Sequence, residues 1–142
     1  MEASDVRRRV HETMDRAKRA AAERRALVDE AATEYQVFLD RVAIPLFRQI
    51  ANILRSEKYT FSVFTPGGSV RLTSDRSNDD YIELLLDTTN TRPEVIVHAS
   101  RGRGRRVTES EMAIGQGEPV RALTEEDVLA AVLKQLEPLV ER

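Results

Sequence analysis

The sequence contains no cysteine and no tryptophan, and only 5% of its residues are aromatic. Without cysteine there is no disulfide framework, no thiolate nucleophile and no cysteine-ligated zinc, a composition that suits a reducing cytoplasm. Lysine is scarce as well: of 22 basic residues, 19 are arginine, and only Lys18, Lys58 and Lys134 are lysine. Together with abundant alanine, that bias points to a GC-rich bacterial genome and lowers the weight of any one arginine cluster. Neither sign of charge is in large excess, and the formal net charge of −2 supplies no global basicity for nucleic acid. No apolar run approaches the ~18–20 residues of a membrane-spanning helix. The opening Met1-Glu2-Ala3-Ser4-Asp5 lacks the apolar stretch of a secretory signal. The expectation is a cytoplasmic protein without a membrane partner.

Glycine and proline are also nearly missing from one region, and that local absence is the most informative. From Ser4 to Arg55 there is no glycine and a single proline, Pro45, while alanine, arginine, glutamate and leucine dominate. These are strong helix formers. About fifty helical residues would extend roughly 75 Å, whereas the remaining chain makes a body with a radius of gyration of only about 12 Å. Such a body cannot cover that helix, so part of it must fold back, pair with another chain or stand in solvent.

The helical third divides into two unequal parts. Between Val28 and Ile53, the residues Val28, Ala32, Tyr35, Leu39, Val42, Leu46, Ile50 and Ile53 recur at steps of three and four, widened by Ala31, Phe38, Phe47 and Leu54. A face that broad packs on a sheet or bundle. Before Val28 the stripe thins to Val6, Val10, Met14, Ala17 and Ala21, mostly small residues. There, eight basic residues, among them Arg7, Arg8 and Arg9, stand against five acidic ones. Residues 1–27 therefore read as a helical arm for oligomerisation or partner contact, by a thin coiled coil through Val6, Val10, Met14, Ala17, Ala21 and Val28. Residues 28–142 read as one α+β domain. At Pro45 the missing N–H and the clash with the preceding turn predict a kink.

After Lys58 the period changes to two. Phe61 and Val63, then Val70, Leu72 and Ser74, then Ile82, Leu84 and Leu86, then Val95, Val97 and Ala99 mark one face of successive strands. A fifth strand is expected from Arg105 to Ile114. The turn-rich links are too short for parallel crossovers, so the sheet should be antiparallel. Tyr81, Leu85, Ile96 and His98 fall on its opposite face. Thr124, followed by Glu125, Glu126 and Asp127, opens a last helix with an apolar stripe of Val128, Leu129, Val132, Leu133, Leu136, Leu139 and Val140. Leu84, Val97 and Leu133 are expected in the core. The fold class is α+β: a long helix kinked near Pro45, about five antiparallel strands, and a C-terminal helix, with the helices on one sheet face.

Candidate chemistry is sparse. His11 and His98 have no partner at metal-ligand spacing, and Asp75, Asp79 and Asp80 lack the spacing and glycine of an EF-hand. No serine sits in a Gly-x-Ser-x-Gly elbow, and neither Gly67-Gly68 nor Gly102-x-Gly104 is a phosphate loop. No catalytic residue, cofactor or metal is assigned, and the chain reads as non-enzymatic. The one concentrated signal is Arg101-Gly102-Arg103-Gly104-Arg105-Arg106. Its four guanidiniums, in Arg101, Arg103, Arg105 and Arg106, form a solvated hairpin tip or, with Arg7, Arg8 and Arg9, contact phosphates or another anion. Two functions follow: a homo-oligomeric assembly or adaptor module, with itself and a second protein as partners, or a dimeric nucleic-acid-binding protein.

Overall fold

The computed structural model of the chain describes residues 1–141. The order is helix α1 (Ala3–Phe38), a π-helical turn (Leu39–Ala43), helix α2 (Ile44–Ser56), five strands and a last helix. The strands are β1 (Phe61–Phe64), β2 (Val70–Ser74), β3 (Tyr81–Asp87), β4 (Glu94–Arg103) and β5 (Arg106–Ala113). A 3₁₀ turn (Val120–Ala122) leads into α3 (Glu125–Val140). This is the α+β architecture that the sequence periodicity predicts, with five antiparallel strands in simple sequential order β1-β2-β3-β4-β5.

Alternation sorts the sheet into two faces. Register pairs Val63 with Leu72, Leu72 with Ile82, Ile82 with Ala99 and Leu84 with Val97, and these residues line the helix-covered side. Leu72, Ile82, Leu84 and Val97 are fully buried there, in one core with Phe47 of α2 and Val128 and Val132 of α3. Thr124 caps α3: its hydroxyl accepts from the Asp127 N–H while the Asp127 carboxylate accepts from the Thr124 N–H.

Four details of the helices differ from the sequence reading. The interruption expected at Pro45 is the five-residue π-helical turn just before it, where the Ile44 N–H donates to the Leu39 carbonyl five residues back. Its origin is the core pattern. Tyr35, Leu39, Ala43, Phe47 and Ala51 are all buried at strict four-residue steps. In a regular α-helix each such step overshoots by about 40°. One wide turn takes back that drift and keeps all five on the sheet side. The same geometry removes Ile53 from the stripe. It is 56% exposed, because Leu46, Phe47, Ile50 and Ala51 occupy the buried face. Ala32 is exposed too, its place taken by Ala31 and Tyr35. Leu133, expected in the core, is 49% exposed. It lies about 100° round the helix from Val132, outside the face made by Val128, Ala131, Val132, Leu136 and Leu139.

Candidate functional site

Three surfaces remain once the core is closed: the bare part of α1 with the cleft at its base, the uncovered face of the sheet, and the arginine hairpin.

Helix α1 has 36 residues, about 54 Å at the usual rise. Every residue from Val6 to Ala20 is exposed, and Val6, Val10 and Met14 keep 44%, 51% and 46% of their surface in solvent. The ion pairs there are local: Arg8 reaches Asp5 at 3.3 Å and Glu12 at 3.9 Å. Arg7 and Arg9 pair with no carboxylate among the described residues. Ala21, Val28 and Ala31 are partly covered, and Tyr35 and Phe38 are buried. The expected contact residues Val6, Val10, Met14, Ala17, Ala21 and Val28 thus lie on one helix and run in phase into the buried stripe.

Two devices fix the base of this helix. The Tyr35 hydroxyl donates to the Leu84 carbonyl at 3.2 Å inside the core. Burial, helped by the nearby Glu83 carboxylate, pushes the Tyr35 phenol well above its ordinary range. On the other side, Arg121 lies 3.2 Å from Glu34 and 3.5 Å from Glu30, and its backbone N–H also donates to Glu34. The chain can double back to make this clamp because Gly115 adopts φ +82° where a Cβ would run into the Leu123 side chain. Between α1 and this returning loop lies a cleft of about 390 Å³. Leu27, Ala31, Val95 and Ile114 give it apolar walls, and Glu30, Glu34, Glu94 and Glu118 outnumber Arg92 and Arg121 on its surface.

The uncovered sheet face carries a row the sequence reading missed. Phe64, Arg71, Glu83, His98 and Glu111 are successive cross-strand partners from β1 to β5. Arg71 pairs with Glu83 at 3.3 Å and lies 4.1 Å over the Tyr81 ring, which stacks on His98 at 5.8 Å between centroids. His98 in turn sits 3.3 Å from Glu111 and 3.6 Å from Glu109, and the Ser69 hydroxyl donates to Glu83. The signal lay in strand register, since opposite charges at directly paired positions attract; read strand by strand, His98 looks isolated. Among the described residues, no three histidine or carboxylate groups meet as a metal site would require.

The arginine segment is a hairpin. Gly104, at φ +64°, with Arg105 makes a two-residue turn, and Arg103 faces Arg106 across it. Arg101 and Arg103 line one hollow with Pro138 and Glu141 at the C-terminal end of α3, a helix with no basic residue of its own in its last turn. Cations there complement the helix dipole, a structural use for two of the four. Arg105 and Arg106 are exposed. None of the four forms an ion pair among the described residues, and the hairpin is not gathered with Arg7, Arg8 and Arg9, which sit on the bare arm.

Comparison with protein-family models, curated proteins and solved structures finds no match to this chain. Among the described residues, no helix is long and apolar enough to cross a membrane.

Proposed function

We propose that this chain is a non-enzymatic, cytoplasmic, homo-oligomeric assembly or adaptor module, with the exposed part of α1 as its assembly element. One observation carries the reading: the apolar stripe that packs Ala31, Tyr35 and Phe38 onto the domain continues in phase through the partly covered Val28 and Ala21 to the exposed Ala17, Met14 and Val10. An amphipathic helix obtains most of its stability from a covered apolar face, and a second chain supplies that cover here. Removal of residues 1–27 tests it. Light scattering should show an oligomer for the full chain and a folded monomer for the truncated one. An unchanged mass would move the interface elsewhere.

A second reading, nucleic-acid binding, draws on the exposed like-charged pair at the hairpin tip. Arg105 and Arg106 have no carboxylate partner among the described residues, and phosphate would supply one. The structural use of Arg101 and Arg103 beside α3 weakens it. A pull-down from native extract, with and without nuclease, separates the two readings.

A further inference from the structure

We infer that the arm's partner is a second copy of the chain packed antiparallel, with the first turns of each arm lying in the cleft at the base of the other. This rests on the assembly reading above and adds its geometry. Val10, Met14, Ala17, Ala21, Arg24, Val28, Ala31, Tyr35 and Phe38 follow one another at alternating steps of four and three. That is the 3.5-residue repeat of a two-helix seam. Two arginines interrupt it: Arg24 within it, and Arg7 one step before Val10.

Those arginines select the direction. In a parallel, in-register pair Arg24 would meet Arg24 and Arg7 would meet Arg7 inside the seam, like charges brought together on desolvation. Antiparallel packing sets seam on seam in only a few registers. One opposes Arg7 to Arg24. Another opposes Val10 to Tyr35 and Arg7 to Phe38, both already buried in the core. The register between them pairs Ala17 with Ala21, Met14 with Arg24, Val10 with Val28 and Arg7 with Ala31. The smallest residues then lie at the crossing, where backbones approach closest, and the Arg24 stem lies along Met14.

Charge supports the same register. It brings Arg7, Arg8 and Arg9 level with Asp29 and Glu30 of the other copy, beside the cleft whose surface also holds Glu34 and Glu118. Arg7 and Arg9 have no intramolecular ion pair among the described residues, so their charge is available. The apolar residues of the first turns, Val6 and Val10, reach the cleft side that carries Leu27 and Ala31. In this arrangement the arms overlap along most of their length and hold the two sheets at opposite ends.

Distance measurement between spin labels decides it, and the absence of native cysteine makes labelling clean. Ser4 and Ala32 are exposed, so S4C and A32C serve as sites in the full chain. For the antiparallel register, two S4C chains should give a separation of about 45 Å, and mixed S4C and A32C chains about 10 Å between backbones. A parallel pair reverses this, with S4C short and the mixed pair about 42 Å; that result overturns the antiparallel inference and leaves assembly through the arm intact. A dimer in which neither pair is short also overturns it. A monomer by light scattering on the same samples overturns both readings.

Discussion

The two parts of helix α1 differ in surroundings rather than in kind. From Ala3 to about Leu27, and again from Val28 to Phe38, the backbone is continuous α-helix and the apolar repeat keeps its phase. In the second part the stripe is pressed on a sheet and closed by the Arg121 clamp. In the first, Val6, Val10 and Met14 are about half exposed. Apolar periodicity thus specifies which face of a helix is to be covered and leaves the identity of the cover open. The second part has found its cover within the chain, and on our reading the first finds it in another copy.

Matched truncations should break or sustain that contrast. Phe47→Ala and Leu84→Ala each remove a side chain with no solvent exposure, and such changes cost about 2–5 kcal/mol. Met14→Ala should shift the stability of the truncatable body by less than ~0.5 kcal/mol, as exposed substitutions do. Urea denaturation followed by circular dichroism checks both at a protein concentration too low for assembly. A cost at Met14 comparable to that at Leu84 would mean that the arm packs on its own domain.

The fastening of α1 to the sheet gives a smaller effect with a pH signature. Tyr35→Phe removes the buried hydroxyl hydrogen bond to the Leu84 carbonyl and should cost about 0.5–1.5 kcal/mol. The folded-state phenol titrates above its unfolded range near 10 because it is buried. Its contribution is therefore complete below about pH 10 and is lost as the pH rises toward the folded value. Wild-type stability should fall on that alkaline side more steeply than that of Tyr35→Phe. Parallel pH dependences would place the phenol in contact with solvent.

Much of this was legible beforehand, for physical reasons that also explain the failures. Strand alternation placed Leu84 and Val97 correctly because a period of two leaves only two choices of face. Helix phase is less forgiving: Leu133 lies at the edge of an apolar arc, and edge positions are decided by what packs against them. Ile53 failed because the π-helical turn, itself encoded in the four-residue spacing from Tyr35 to Ala51, shifts the face by one residue. The row from Arg71 to Glu111 was invisible in any single strand, since it exists only once register aligns five of them. The cleft, likewise, is made by a loop returning from β5 to α1.

The smallest effects belong to the arginine hairpin, whose halves should behave differently. Arg101→Ala and Arg103→Ala should each cost about 0.3–1 kcal/mol through the lost complement to the end of α3. Arg105→Ala and Arg106→Ala should stay within ~0.5 kcal/mol. Wild-type affinity for duplex DNA is expected to be weak or absent. Micromolar binding with a salt slope that flattens by about 0.9 per arginine removed would promote the nucleic-acid reading.

On our reading one face of the arm, and not merely its length, holds two chains together. Sedimentation of three full-length variants tests it most directly: Ala17→Glu and Ala21→Glu on the seam, and Ala22→Glu, an identical change on the neighbouring exposed face. The wild type and Ala22→Glu should run at twice the 16.1 kDa of one chain, and both seam variants as monomers. One common mass for all four proteins would contradict the account.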